Sequence, residues 1–277
     1  MVVGLVVGKR QSRPWIVSDE LWSLIEPLLP EPAPKQVEGR PRVPDRQALC
    51  GILFVLHTGI QWEYLPQELG FGSGMTCWRR LAAWNEAGVW DQLHLVLLKK
   101  LRVAKKLDWS RAVIDSPRQG RSAGPKSGPS PVDRARPGSK HHLIVDGQGI
   151  PLAVSLTGGN RNDVTQLMPL LAKIPSVAGL VGRPRRRPDV LLADRGYDHD
   201  KYRRLVCAQG IKPMIARRGV PHGSGLGVHR WVVERTIAWL HGFRRLRVRW
   251  ERRDDIHEAF LGLATCLITH RHVQRLC

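Results

Sequence analysis

The 277-residue chain has few acidic residues, few cysteines and no long apolar run. Its 24 Asp and Glu are outnumbered by 44 Lys and Arg, giving a formal charge of +20, which favours a polyanionic partner such as nucleic acid. None of the five cysteines has the CxxC spacing of a zinc or redox site, which is typical of a reduced cytoplasmic protein. No apolar run approaches the ~20 residues of a transmembrane helix, so no membrane partner is expected.

The positive charge is unevenly distributed along the chain. Residues 1–105 contain 13 basic and 10 acidic side chains, whereas residues 106–277 contain 31 basic and 14 acidic ones. We therefore expect the strongest polyanion contacts in the second region. Because Arg outnumbers Lys 33 to 11, an arginine-rich coding bias would give a similar excess, and charge alone does not decide the function.

Residues 18–106 show the apolar spacing of four short helices, separated by turns that contain Pro or Gly. The third helix turns Arg79 and Arg80 away from its apolar face. This pattern predicts a small all-α domain, either a helix-turn-helix-like DNA-recognition domain or a plain helical bundle. Residues 1–17 would precede it as a variable tail. The helices are expected over 18–29, 48–57, from 76 onward and over 89–106.

From residue 107 to 277 the pattern is that of an α/β domain. Short apolar runs alternate with helical stretches, which predicts a sheet with helices packed on it. Residues 116–139, rich in Gly, Pro, Ser and Arg, are expected to form a loop. Strands are expected over 111–115, 190–194 and 211–216, a hairpin over 141–157, and helices over 162–171, 199–209 and 228–246.

Three carboxylates are candidates for chemistry. Asp115 and Asp194 each end an apolar strand, where ligands bind in α/β sheets, and two such carboxylates repel unless a cation lies between them. Glu234 is on the last of the predicted helices named above, one turn after Arg230. Oxygen ligands favour Mg²⁺ or Mn²⁺. Each residue also has a structural explanation, since an Asp often caps a turn and Arg230 with Glu234 would form an ordinary surface pair.

Several long motifs in this region resemble those of the DDE transposases of bacterial insertion sequences, in their "IS-five" branch within the wider IS4-like superfamily. The matching runs are residues 128–142 (GPSPVDRARPGSKHH), 156–163 (LTGGNRND), 193–198 (ADRGYD), 230–240 (RWVVERTIAWL) and, before them, 15–30 and 59–66 (GIQWEYLP). The resemblance implies a ribonuclease-H-like catalytic domain with Asp115, Asp194 and Glu234 as catalytic, metal-binding residues. It also places Arg230 in the signature around the glutamate.

The resemblance implies a reaction with two Mg²⁺ or Mn²⁺ ions, in which Asp115 bridges the ions while Asp194 and Glu234 each complete one coordination shell. The enzyme would cut double-stranded DNA at terminal inverted repeats and join the freed 3′ ends to target DNA. It would act as a homodimer on paired ends, in the cytoplasm with the bacterial nucleoid. Two alternatives stay open: a metal nuclease without strand transfer, and an inactive remnant or non-catalytic DNA-binding protein.

This sequence departs from the superfamily pattern at two signature positions and in one segment. Gly227 stands where a Tyr is common and His241 where a Lys is common, so DNA-end contacts assigned to those positions are not expected here in the same form. Residues 117–123 also differ from the usual continuation after the first aspartate.

Arginine-rich segments predict contacts with DNA phosphates, although a charge run also occurs as a solvated basic face. Trp250, among arginines, is a candidate for stacking on a base, whereas Trp231 and Trp239 are expected in the core. The predicted DNA-binding residues are Arg79, Arg80, Arg185, Arg186, Arg187, Arg230, Arg244, Arg245, Arg247, Arg249 and Trp250.

Overall fold

The computed structural model describes residues 13–32, 41–120, 124–131, 134–219 and 227–277. In the first region the helices predicted from the sequence are present. Two serines start helices, because Ser18 Oγ accepts a hydrogen bond from the backbone N–H of Leu21 at 3.2 Å and Ser73 Oγ accepts one from that of Thr76 at 3.1 Å. The helices are α1 (Asp19–Ile25), α2 (Asp45–Thr58), α3 (Gly74–Glu86) and α4 (Val89–Val103).

The second region contains one mixed sheet. Its strands are β1 (Arg111–Asp115), β2 (Arg118–Gly120), β3 (Gly128–Pro129), β4 (Pro137–Asp146), β5 (Pro151–Gly158), β6 (Val190–Ala193) and β7 (Lys212–Ile215). The longer strands are ordered β5–β4–β1–β6–β7, antiparallel from β5 to β1 and parallel from β1 to β7. An antiparallel meander continued by two parallel strands is the ribonuclease-H-like arrangement that the resemblance implied. The predicted α/β class, with a helical region before it, is therefore confirmed.

The expectation that residues 116–139 form only a loop is wrong. β2 and β3 flank the first half of β4, with Gln119 opposite Ser139 and Gly128 opposite Gly138. β4 itself begins at Pro137, earlier than the predicted hairpin. Local composition missed these strands because each is only two or three residues long and is defined by its pairing with β4.

Among the described residues, five further α-helices belong to the second region. They are α5 (Leu167–Lys173), α6 (Asp200–Ala208), α7 (Gly227–Gly242), α8 (Arg244–Arg247) and α9 (Asp254–Leu276). The single helix expected over 228–246 is divided, because Phe243 is extended (φ −79°, ψ 106°) and separates α7 from α8. Among the described residues, no helix is both long and apolar enough to cross a membrane.

The two predicted regions pack against each other through α9, which lies against α3 and α4. The Phe260 ring stacks on Trp62 with 5.5 Å between the ring centroids, and Cys266 Sγ donates to the backbone oxygen of Trp90 at 3.2 Å. A Cβ on Gly262 would lie 3.2 Å from Trp90 Cβ, so a glycine lets α9 approach α4 closely. The predicted boundary between residues 106 and 107 stays a prediction, and hydrophobic packing across it is continuous.

Several histidines are buried in this core. His141 Nε2 on β4 lies 2.8 Å from His257 Nε2 on α9, and their rings stack with 5.1 Å between the centroids. Burial lowers the pKa of His141 to about 3, with nearby His241, His142 and Arg249 adding to the effect. Burial is also the main cause that lowers the pKa values of His57, His94 and His272 to about 4. These imidazoles are therefore neutral in the folded protein at neutral pH.

We expect the protein to lose stability as the pH falls from 6.5 toward 4. In that window the histidines of the unfolded chain bind protons, whereas the buried imidazoles of the folded protein stay neutral. The reason is that their folded pKa values lie below the unfolded value of 6.5. Each of these histidines is expected to lower the free energy of unfolding by about 1.4 kcal/mol for each pH unit of acidification. Urea unfolding at pH 7.5, 6.5 and 5.5 measures the effect, and a free energy of unfolding that stays level over this range would contradict it.

Candidate active site

Asp115 and Asp194 lie at the same edge of the sheet. Asp115 is the last residue of β1, and Asp194 directly follows β6, which runs parallel to β1 with Leu192 beside Val113. Both side chains are half-buried. Glu234 is on α7, which packs on β1, β4 and β6, and its side chain is exposed. All three predicted carboxylates thus belong to elements that meet at the edge where α/β sheets bind ligands.

The electrostatics of Asp115 show how near these groups are. Burial raises the pKa of Asp115, and the negative charges of Asp194 and Glu234 raise it further. A hydrogen bond from the backbone N–H of Ser116 and the positive charge of Arg230 act in the opposite direction. Asp194 and Glu234 are therefore both within electrostatic reach of Asp115, and their repulsion with Asp115 favours a cation.

Arg230 supplies positive charge at this site. Its Nη2 atom lies 3.5 Å from Asp115 Oδ2, across the gap between α7 and β1. The alternative from the sequence, an ordinary surface pair with Glu234, does not describe this geometry. A guanidinium in this position partly neutralises the negative charge of the carboxylates.

The donor set has the right chemistry for a hard divalent cation, because carboxylate oxygens are the ligands that Mg²⁺ and Mn²⁺ prefer. In the part of the chain that the structure describes, however, no three His, Cys, Asp or Glu side chains are close enough together to hold a metal ion. Asp115, Asp194 and Glu234 would have to approach one another to do so. Residues 220–226, directly before α7, lie outside the described ranges.

A chain of hydrogen bonds connects the two aspartate-bearing strand ends. Ser116 Oγ, next to Asp115, lies 2.6 Å from both Tyr197 Oη and His142 Nδ1. His142 Nε2 in turn lies 2.6 Å from Thr157 Oγ1 on β5. Tyr197 is buried in the 3₁₀ turn that follows Asp194. The chain therefore fixes the β1 and β6 ends relative to each other and to β4 and β5.

Asp163 is a fourth acidic residue beside the site. Lys140 Nζ lies 2.8 Å from Asp163 Oδ1. Burial raises the pKa of Asp163, Lys140 lowers it, and the charge of Asp194 raises it. The N-cap of the 3₁₀ turn that begins at Asp163 is the preceding Asn162, which accepts from the backbone N–H of Val164. Asp163 and Tyr197 lie inside the motifs that carry the resemblance, which was the one sequence signal for them.

Two of the arginines predicted to contact phosphate are buried and have structural roles. Arg245 Nε donates to Glu251 Oε1 at 3.0 Å, and its Nη1 donates to the backbone oxygen of Ile60 at 2.8 Å. Arg249 Nη1 donates to Ser139 Oγ at 2.8 Å. Both side chains are 3% exposed, so their donors face protein atoms. The phosphate role predicted for these two arginines is therefore wrong.

The other predicted DNA-binding residues are at or near the surface. Arg80 forms an ion pair with Asp45 at 2.9 Å, and Arg185 forms one with Asp189 at 2.5 Å. Arg186 and Arg187 donate to the backbone oxygens of Ala172 and Gln209. Exposed side chains that form neither an ion pair nor a hydrogen bond to the backbone are better placed to contact a phosphate. Among the predicted residues the exposed ones on α3 and around α8 are Arg79, Arg244, Arg247 and Trp250.

Two of the departures from the superfamily pattern contact each other, namely His241 and Gln119 of the segment 117–123. His241 Nε2 lies 2.6 Å from the side-chain amide of Gln119, and the amide orientation that suits this contact also lets Gln119 donate to the backbone oxygen of Arg247. His241 on α7 is thereby tied to β2, in the unusual segment 117–123, of which residues 121–123 lie outside the described ranges.

Comparisons with known proteins match the chain over most of its length. A family model described as "Transposase DDE domain" matches residues 107–269, and one described as "Putative transposase of IS4/5 family" matches residues 17–94. A Burkholderia cepacia protein, "Putative transposase for insertion sequence element IS402", is 60% identical over 165 residues, which are 60% of this chain and 77% of that protein. A second one, "Insertion element IS402 uncharacterized 16.2 kDa protein", is 56% identical over 119 residues, 42% of this chain and 81% of that protein.

Among solved structures, the "Crystal structure of the Mos1 Strand Transfer Complex" contains a chain that is 13% identical to this one. The match covers 88% of this chain and 79% of that chain, with a TM-score of 0.35. A likeness of this degree carries no information about function.

Proposed function

Because this chain belongs to the DDE transposase family, in its IS4/5 group, and is a transposase of an insertion sequence, we propose that it cuts double-stranded DNA at the terminal inverted repeats of its element and joins the ends to target DNA. What supports the proposal is that Asp115, Asp194 and Glu234 belong to β1, the end of β6 and α7, which meet at one edge of the sheet, with Arg230 3.5 Å from Asp115. The protein would act on the chromosome in the cytoplasm, as a homodimer that holds two DNA ends.

In this proposal the carboxylates of Asp115, Asp194 and Glu234 would hold divalent cations. Bound Mg²⁺ would polarise the phosphate and activate the nucleophile. Cleavage adds a water oxygen to phosphorus and breaks the bond to the 3′ oxygen, which leaves a free 3′-hydroxyl. Joining adds that oxygen to a target phosphorus and breaks the bond to the target's 3′ oxygen. Each nucleophile gives its proton to a carboxylate oxygen of the site, and each leaving 3′ oxygen takes up a proton in return. Arg230 can offset phosphate charge.

Nicking of DNA that carries the sequences flanking the gene tests this function. With Mg²⁺ the purified protein is expected to cut each end at a defined position, and with EDTA it is expected to cut at none. Binding of the same DNA without any Mg²⁺- or Mn²⁺-dependent cleavage would identify a non-catalytic DNA-binding protein. Cleavage without joining would identify a nuclease.

Tyr197 and Ser116 are proposed positioning residues, which act through the aspartates and not on the DNA. Tyr197→Phe removes one hydroxyl from the chain of hydrogen bonds that connects the β1 and β6 ends. We expect it to lower the cleavage rate about 10- to 100-fold, the usual range for residues that orient metal ligands. The Mg²⁺ concentration for half-maximal cleavage should rise, while DNA affinity without metal should stay unchanged.

Because Ser116→Ala breaks the same connection, the double variant should be no slower than the slower single variant. A Tyr197→Phe protein with normal cleavage and normal Mg²⁺ dependence would show that the connection has no part in the reaction.

A further inference from the structure

A second surface of α7 has no role in the site described above. Trp231, Arg235 and Trp239 are spaced four residues apart and share one face of the helix. The Arg235 guanidinium carbon lies 4.5 Å from the centroid of the Trp231 ring and 4.8 Å from that of Trp239, so the guanidinium contacts both indoles. Together with Arg271 and Arg275 of α9, these residues are called the tryptophan–arginine ladder.

The end of the ladder is open to solvent. Trp239 meets the His272 ring edge-on, with 5.5 Å between the ring centroids. Arg271 and Arg275, both exposed, lie on either side of His272 along α9. A cavity of about 230 Å³ opens between them, lined by Trp239, Ile268, Arg271, His272 and Arg275.

Positive charge accumulates in the ladder. Burial lowers the pKa of Arg235 and the charge of Arg275 lowers it further, while the buried Asp146 acts in the opposite direction. Within the described ranges, none of the three ladder arginines forms an ion pair with an acidic residue. Like charges this close together lower the free energy of unfolding unless an anion binds between them.

The ladder also exposes aromatic surface. Trp231 is 51% exposed, although the sequence pattern predicted it in the core. Arg235, beside this indole, donates to the backbone oxygen of Gln148, whereas Arg271 and Arg275 are exposed. An exposed indole near exposed arginines is suited to a nucleic acid, since the ring can stack on a base while the guanidiniums contact phosphates. A hydrophobic partner would not use the charge, and a small anion would not use the indole.

The ladder shares helix α7 with Arg230 and Glu234. Trp231 follows Arg230, and Arg235 follows Glu234, so the ladder is the neighbouring face of the same helix. From Trp231 to Trp239 it runs about 12 Å along α7, at ~1.5 Å per residue, and then reaches α9. We propose that the ladder binds the DNA that flanks the cleavage site, with phosphates on Arg271 and Arg275 and a base or sugar against Trp231. This inference rests on the proposed function.

The salt dependence of DNA affinity tests the inference without requiring cleavage. Metal-free binding of an element-end duplex would be measured from 50 to 200 mM salt for the wild type and for Arg271→Gln/Arg275→Gln. Loss of two phosphate contacts should reduce the slope of log affinity against log salt by about 2. Lys201→Gln/Arg204→Gln is the matched control, because both side chains are exposed on α6 and the change in charge is the same.

A second variant tests the stacking contact. Trp231→Ala should weaken binding about 5- to 100-fold, and Trp231→Phe, which keeps a ring, should restore most of that loss. Thermal unfolding of each variant separates a loss of binding from a loss of folding.

The outcomes separate this inference from the proposed function. If the arginine double variant had the same salt-dependence slope as the control, the ladder would not be a DNA-binding surface, and the proposed function would be unaffected. A change in oligomeric state without a change in this slope would have the same meaning. If wild-type protein bound the duplex with the predicted salt dependence but never cut it, the proposed function would be wrong and the DNA-binding role of the ladder would be supported. Wild-type protein that does not bind the duplex would overturn both.

Discussion

Replacing Glu234 by Gln is expected to slow DNA cleavage and strand transfer at least about 10³-fold while the protein stays folded. The substitution keeps the shape of the side chain and removes one of the two negative charges that raise the pKa of Asp115. Since the exposed Glu234 has no packing role, the melting temperature should change little. DNA affinity without metal should be equal or slightly higher, because a negative charge near the DNA is lost.

Glu68→Gln is the matched control for this variant. Glu68 is also exposed, in the 3₁₀ turn Gln67–Leu69, and its loss changes the net charge equally. It should cut and join DNA at the wild-type rate. If Glu234→Gln retained more than about a tenth of the wild-type cleavage rate, Glu234 would not belong to the catalytic set.

Replacing Arg245 by Met is expected to lower the free energy of unfolding by about 3–5 kcal/mol. The side chain is buried, and its guanidinium joins Glu251 to the backbone oxygens of Gly59 and Ile60, which follow α2. Removing it leaves Glu251 buried with its charge unpaired. The variant also removes a connection between the helical region and α8, which packs on α2.

Urea unfolding measures this effect against two references. Arg247→Met, at an exposed position of α8, should stay within about 0.5 kcal/mol of the wild type. Arg245→Met/Glu251→Leu should recover part of the loss, because it removes the unpaired buried charge. Equal losses for Arg245→Met and Arg247→Met would show that the buried pair is not what connects these segments.

The elements that carry the aspartates could be predicted because their signals are local. Val113 and Leu192 belong to short apolar runs that end in a carboxylate, and such runs are read directly as buried strands. The parallel pairing of β1 with β6 then places the two strand-ending aspartates at the same edge of the sheet. The hairpin of β4 and β5 was equally local, since its turn lies between its two strands.

Contacts between distant segments could not be predicted. Ser116 and Tyr197 are 81 positions apart, and neither has a pattern that indicates the other. The arginine run gave no sign that Arg245 and Arg249 are buried, because burial depends on Glu251 and on Ser139 of β4. Trp231 illustrates the opposite error, since its apolar character predicted burial and its position on α7 leaves it half-exposed.

Strand transfer tests the central claim most directly. A duplex with the element's end sequence and a free 3′-hydroxyl would be incubated with wild-type protein, a target plasmid and Mg²⁺, and the products would be sequenced. The account predicts that the 3′ end becomes joined to target phosphates when Mg²⁺ or Mn²⁺ is present, and that EDTA or a change of Asp115, Asp194 or Glu234 to its amide prevents joining. Joining that persists without metal or in the amide variants, or target DNA that is nicked and never joined, would contradict it.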